Sequence, residues 1–184
     1  MFDELADQWR RPAGIFVIIE VRGPAGERIR NLQRRFDPKL ANTNPPHITL
    51  IGSSGVGPIA ADTAVETMRS IVAPVAASTR PFTLRFGPPV KFMQRDVVAL
   101  PLDPRGAIRE LHDRIVRSGL PFQSARFTFT PHATLNFFRS LPREELRALL
   151  AERVTDPVTI DHLIFSRTDD PQPTQDLFEL PLTG

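Results

Sequence analysis

The sequence predicts an α+β fold built from two similar halves, and three observations carry that prediction. The phrase PHITL at 46–50 returns as PHATL at 131–135, 85 residues later. Such a repeat arises by chance in roughly a few chains per thousand of this length, so duplication is the better account. Segments of strand and helix periodicity run strand, helix, PHxTL strand, helix, and then strand, strand, helix, PHxTL strand, helix, strand, strand. Finally, no low-complexity linker separates the halves, so they are expected as two interleaved pseudo-symmetric lobes of one domain over 1–184, with mixed or antiparallel sheets and helices outside.

The first strand is GIFVIIEV at 14–21, β-branched and apolar. A Gly/Pro/Gly turn leads into a helix at 27–36, where Ile29, Leu32 and Phe36 recur at helical spacing. A Pro- and Asn-rich loop at 37–46 delivers the chain into the strand HITLIG. Ala61, Val65, Met68 and Val72 mark a helix over 60–77, ended or kinked by Pro74. Strands at 82–86 and 97–102 form an antiparallel pair, bridged by a Pro/Gly bend and the KFMQRD turn. Pro104 at N1 opens a helix with an apolar stripe through Ile108, Leu111, Ile115 and Val116, and Gly119 stops it. A strand over 127–138 carries the second phrase, a helix follows over 141–153, and strands at 159–166 and 177–182 flank an acidic, proline-rich loop.

Composition narrows the function. With 184 residues and 41% hydrophobic side chains, the chain suits one medium domain or two small lobes sharing a core. The absence of cysteine excludes disulfides, zinc–thiolate sites and thiol catalysis. Acids precede the first apolar run, and the apolar stretch at 15–19 is too short for a signal or a membrane span, which predicts a soluble, cytoplasmic protein. Lys+Arg 23 against Asp+Glu 21 leaves a net charge of +2, too small a field for non-specific binding to long nucleic acid. Lys39 and Lys91 are the only lysines. An arginine in a cleft suits bidentate phosphate recognition, although GC-rich codon usage is the simpler source of the bias.

The chemistry is expected in the repeated phrase. Strand alternation puts His47 and Thr49 on one face, with Ile48 and Leu50 on the other; His132, Thr134 and Asn136 repeat the pattern against Ala133, Leu135 and Phe137. If a pseudo-two-fold axis relates the halves, both His/Thr pairs meet at one groove. Unperturbed imidazoles titrate near pH ~6.5, so one serves as base while the other serves as acid, each proton transfer contributing roughly 10²–10⁴-fold. The threonine hydroxyls donate to anionic oxygens. In-line displacement at phosphorus, and phosphodiester hydrolysis in particular, needs that combination. The sequence has no HxH, HExxH or Asp-rich ligand cluster, so neither a metal nor another cofactor is expected. A single PHxTL reads more simply as a histidine satisfied at a strand entry; two copies in matching contexts favour catalysis. His112, inside the helix beside Leu111, is expected at the surface, and His162 in TIDHLIF faces either way; neither is assigned a role.

At these residues the sequence resembles the two-histidine (2H) phosphoesterase superfamily, and within it the bacterial 2′-5′ RNA ligase-like and cyclic phosphodiesterase branch. FVIIEV resembles that family's first strand, FTPHATL its second motif and IDHLIFSR its late strand. The resemblance implies a bilobal α+β fold, with two antiparallel-rich sheets flanking a central groove and helices outside. It further implies metal-independent opening of a 2′,3′-cyclic phosphate to a 2′-phosphate, or action on a 2′-5′ linkage. By position, His47 and His132 become the acid/base pair, and Thr49 and Thr134 the phosphate donors. The implied ligand is a small cyclic nucleotide or an RNA terminus, with no membrane and no obligate protein partner.

There are departures from the family pattern. Relatives follow the second motif with a small residue and then Arg, where this chain has Asn136 and Phe137, with Arg139 on the parity of Phe137 and so away from His132. Phe178 is a loose match for an aromatic near the C-terminal strands. Phe138, on the parity of His132, is a candidate shelf for a base; Arg126, on the same parity, is a candidate phosphate ligand, and Asn136 a candidate substrate contact. Within the same fold the alternatives are 2′-5′ end joining or 2′-5′ phosphodiester cleavage. Outside it stand a non-catalytic nucleotide or RNA binder, and a scaffold that holds the two histidines apart.

Overall fold

The computed structural model describes residues 13–92, 96–168 and 174–184. The acidic N-terminal stretch, the middle of the KFMQRD turn and most of the late acidic loop lie outside the described residues. The elements run β1 (Gly14–Glu20), α1 (Gly23–Phe36), α2 (Pro38–Thr43), β2 (His47–Ile51), α3 (Val65–Ala77), β3 (Phe82–Leu84), β4 (Val90–Lys91) and β5 (Val98–Pro101). They continue with α4 (Ala107–Val116), β6 (His132–Asn136), α5 (Arg143–Ala151), β7 (Val158–Ile160), β8 (His162–Thr168) and β9 (Thr174–Pro181). A large antiparallel sheet orders its strands β4-β5-β6-β2-β1-β8-β9, and β3 and β7 form a small second sheet. This is the α+β class expected from the sequence, and both motif strands lie side by side at the centre of the larger sheet.

Alternation decides which face of the sheet is covered. Ile15, Val17 and Ile19 of β1, Ile48 and Leu50 of β2, and Ala133 and Leu135 of β6 all enter one core cluster with Ile29, Leu32 and Phe36 of α1. Each such side chain taken from water contributes about 1.5–3 kcal/mol before entropy is counted, so this back face anchors the strands and leaves the motif polar groups on the front. The entry to α1 is tight: Gly23 turns at φ 68, and a Cβ on Gly26 would collide with the Val21 carbonyl.

Several elements differ from expectation for identifiable reasons. The 37–46 loop contains α2, because Asp37 caps it, Oδ1 accepting from Leu40 N at 3.1 Å, with Pro38 in the first turn. The helix expected at 60–77 begins at Val65, since Ile59 is bridged to both Ile15 and Phe122; Pro74 falls in its last turn. The expected pair 82–86 with 97–102 does not form. β3 pairs with β7, and β5 is held between β4 and β6, a choice of partner that local pattern does not encode. The helix expected from 104 starts at Ala107, after Gly106 at φ 66. The long strand at 127–138 shrinks to His132–Asn136, because the chain before Pro131 instead bonds the loop after β2: Gly55 N donates to Phe127 O at 2.8 Å and Gly57 N to Gln123 O at 2.8 Å. Asp161 splits the strand expected at 159–166 into β7 and β8. Among the described residues no helix is long and apolar enough to cross a membrane.

Candidate active site

The site follows from one register. Ile48 pairs with Ala133 across the antiparallel β2/β6 seam, so one step either way sets His47 opposite Thr134 and Thr49 opposite His132. Directly opposed Cβ atoms lie about 5 Å apart and diagonal neighbours about 7–8 Å. The four side chains therefore form a quadrilateral on the front face, with the two imidazoles on one diagonal and the two hydroxyls on the other. The burial pattern is the same in both strands: each His and Thr is half-buried and the residue between them is buried.

Both imidazoles are held in the same way. His47 Nδ1 lies 2.9 Å from Pro45 O, and His132 Nδ1 lies 2.8 Å from Thr130 O. A carbonyl only accepts, so Nδ1 carries hydrogen in each ring and Nε2 becomes the atom of proton exchange. The acceptor is two residues upstream in both cases. The intervening Pro46 and Pro131 fix φ and hold the preceding residue extended, which aims that carbonyl at the ring. Phe92, from the end of β4, places its ring edge-on to His132 at 5.2 Å between centroids and 81° between planes.

The symmetry extends one strand outward. On β1, Glu20 pairs with His47 and Ile18 with Thr49; on β5, Pro101 pairs with His132 and Ala99 with Thr134. Both flanking strands then slip register, so that Ile51 meets Val17 and Asn136 meets Val98. The slips turn the third alternating position of each motif strand toward the interior. This corrects the expectation for Asn136. It is fully buried, and Nδ2 donates to Asp96 O at 2.6 Å and Arg139 O at 2.8 Å, which fixes the turn after β6.

The remaining candidates lie outside the β2/β6 register that sets the quadrilateral. β6 ends at Asn136, so strand parity does not carry to Phe138. Its backbone N–H donates to Asp37 Oδ2 at 2.7 Å, while its exposed ring lies under Lys39 Nζ at 4.4 Å from the centroid. Arg126 is exposed on a bend rather than in a strand, six residues ahead of His132. Arg139 donates from Nη1 to Phe36 O at 2.8 Å and pairs with Glu145 at 3.3 Å, which commits it to the seam between α1 and α5. Phe178 is buried and stacks on Phe165 with centroids 4.3 Å apart.

Two further histidines have structural settings. His112, expected at the surface, is 3% exposed and packs 4.1 Å from Phe129 between ring centroids. Its Nδ1 donates to Asp113 Oδ1 at 2.9 Å, yet burial outweighs the carboxylate and pulls the pKa below the ordinary histidine value. His162 is buried, donates from Nδ1 to Asp161 Oδ1 at 2.6 Å, and accepts at Nε2 from the N–H of Glu20 at 3.2 Å, so it braces the residue beside His47.

Three supporting residues escape sequence reasoning. Gln33 of α1 donates to Thr134 O at 2.8 Å. Asp37 is fully buried and gathers the N–H groups of Leu40, Phe137 and Phe138. Phe92 reaches His132 only because β4 folds back beside β5. Gln33 in a helix and Asp37 before a proline carry ordinary local signals; what they bond lies about 100 residues away.

Among the described residues no group of three or more His, Cys, Asp or Glu is placed to hold a metal ion. The four motif side chains supply two imidazoles and two hydroxyls, a set suited to moving protons at both ends of an anionic centre.

Comparison with known proteins agrees with this fold. E. coli LigT complexed with 3′-AMP superposes with TM-score 0.56 at 20% identity, over 94% of this chain and 99% of that one. LigT complexed with ATP gives TM-score 0.58 at 15% identity, over 95% and 99%. A structure described as a phosphoesterase gives 0.54 at 19%, over 94% and 99%. No curated protein sequence matches the chain. At these identities the structures establish the fold, while the sequence model of the 2′-5′ RNA ligase superfamily matches residues 21–172. The chain therefore belongs to the 2′-5′ RNA ligase superfamily of 2H phosphoesterases.

Proposed function

We propose that the protein is a metal-independent phosphoesterase that hydrolyses a 2′,3′-cyclic phosphate, on a nucleotide or an RNA end, to a 2′-phosphate. The observation that carries this reading is the shared tautomer: both rings give their Nδ1 hydrogen to a carbonyl two residues upstream, so both exchange protons through Nε2. One Nε2 takes a proton from the attacking water as the P–O bond to water forms. The other Nε2–H gives its proton to O3′ as the P–O3′ bond breaks. The product is a 2′-phosphate with a free 3′-hydroxyl, and the histidines exchange protonation states with solvent before the next turnover. Thr49 and Thr134, on the opposite diagonal, donate to the non-bridging oxygens, where charge increases in the transition state.

The test is hydrolysis of 2′,3′-cyclic nucleotides in EDTA, with the position of the product phosphate identified. Turnover to the 2′-phosphate that survives chelation supports the reading; a strict metal requirement, or turnover undiminished in His47→Ala, overturns it. Joining of ends through a 2′-5′ bond uses the same proton transfers with a 5′-hydroxyl in place of water as the attacking group and O3′ again leaving, and inclusion of a 5′-hydroxyl acceptor in the assay separates the two.

A further inference from the structure

The two imidazole anchors are alike at the motif proline and differ one residue before it. Val21 N donates to Pro46 O at 2.8 Å, and Leu102 N donates to Pro131 O at 2.9 Å, so both prolines are pinned in the same way. The carbonyl that holds each ring belongs to the preceding residue, Pro45 for His47 and Thr130 for His132. Pro45 has φ locked by its own ring and is held extended by Pro46, so its carbonyl is aimed covalently. Thr130 lacks the first of these restraints. Pro131 holds it extended, but its φ depends on what binds its N–H.

That partner comes from the loop after the other motif strand. Ser54 is 5% exposed, and its Oγ accepts from Thr130 N at 3.0 Å. Thr130 Oγ1 donates to Thr128 O at 2.9 Å, so the residue is tied at its amide and at its side chain while its carbonyl stays on the His132 ring. The loop that presents the hydroxyl is fixed on both sides of Ser54. A Cβ on Gly52 would collide with the Phe16 ring, and a Cβ on Gly55 with the His112 ring. That same His112 ring packs against Phe129, the residue before Thr130. A short side chain on so constrained a loop gives up little entropy to hold one bond.

We propose that Ser54 is a positioning residue for His132: acting through Thr130, it keeps the carbonyl on Nδ1 and so maintains Nε2 as the atom of proton exchange. A hydrogen bond from the first half thereby does for the second imidazole what the Pro45 ring does for the first. That role presupposes the reading of His132 as one of the two proton-transfer groups. Thr130 is exposed, so without Oγ its N–H turns to water at little cost in stability. Its carbonyl then leaves the ring, and His132 is released to carry hydrogen on Nε2, where it no longer accepts a proton.

The experiment compares wild type with Ser54→Ala and with Ser54→Thr, which keeps the hydroxyl. It reads kcat and KM on a 2′,3′-cyclic nucleotide, and the tautomer of His132 by long-range 1H–15N NMR at a pH where the ring is neutral, with His47 as the internal control. Ser54→Ala is expected to lower kcat about tenfold with KM changed less than about twofold. It should also move His132, and not His47, from the Nδ1–H tautomer toward a mixture with Nε2–H. Ser54→Thr should recover both. A Ser54→Ala variant that unfolds earlier but keeps wild-type kcat and the His132 tautomer overturns the proposal, as does a tautomer change that appears equally at His47. Should Ser54→Ala not fold, Ser54→Cys, which keeps the shape and offers only a weak acceptor, is read against the same outcomes. If wild type hydrolyses no cyclic nucleotide, the phosphoesterase reading fails separately, and the tautomer of His132 in the Ser54 variants still decides the role of Ser54.

Discussion

The two motif strands are alike where chemistry is concerned and different immediately beyond it. β2 and β6 share a burial pattern, a ring-to-carbonyl bond reaching two residues upstream, and a register slip in the strand on their outer side. After the motifs the likeness stops. β2 runs into a glycine loop, with Gly52 at φ 121 and Gly55 at φ 78, whereas β6 runs into a turn pinned by Asp37. Glu20 flanks one histidine and Pro101 the other. On the proposed reading, the two strands share what two proton transfers need in common and differ where the two ends of a substrate would lie.

The most direct way to break the likeness is to remove one half of it. His47→Ala and His132→Ala should each lower kcat on a 2′,3′-cyclic nucleotide by about 10²–10⁴-fold. A large loss in one and a small loss in the other would show that only one half carries chemistry. Because one imidazole must be neutral while the other is protonated, wild-type kcat/KM should fall on both sides of a pH optimum, and each single variant should lose one limb. Thr49→Val and Thr134→Val probe the other diagonal, with an expected loss of about 10²-fold each in kcat/KM; an unaffected variant would mean that the phosphoryl oxygens lie nearer the opposite strand.

Smaller effects sharpen the difference between the halves. Asp37→Ala strips the acceptor from the Phe137 and Phe138 N–H groups and should cost about 2 kcal/mol in denaturant unfolding. An unchanged unfolding midpoint would show that the turn after the second motif holds itself without this carboxylate. The smallest effect is pH-linked. Burial holds the His112 pKa below its ordinary value of 6.5, despite Asp113, while Arg109 pushes in the same direction as burial. The unfolded chain therefore takes up this proton before the folded chain does. Stability from His112 is fully present above about pH 6.5 and is lost as pH falls below it. Melting temperatures in mild acid should decline more steeply for wild type than for His112→Gln, and equal slopes would remove His112 from the pH dependence.

Much of this is legible in the chain. Alternation in PHITL and PHATL places Ile48 and Leu50 behind β2, and Ala133 and Leu135 behind β6, because burial of every second residue is a local consequence of the pleat. Helix α1 is visible from Ile29, Leu32 and Phe36 for the same reason, at a different period. Strand partners are not legible: β3 pairs with β7, about 75 residues away, and nothing in FTL names that partner. Parity also fails where strands slip or end. Asn136, expected in the groove, is buried by the slip opposite Val98, and Phe138 lies past the last paired residue.

By itself, then, the sequence determined the duplicated phrase, the face on which each His and Thr lies, and the proline before each histidine, all properties of a few adjacent residues. Only the tertiary structure decided that β2 and β6 are neighbours, that Ile48 meets Ala133, that Phe92 rests against His132, and that Gln33 of α1 reaches the carbonyl of Thr134. Those facts depend on the pairing of distant strands and on how α1 docks. Both are fixed by the summed burial of the whole core rather than by any local segment.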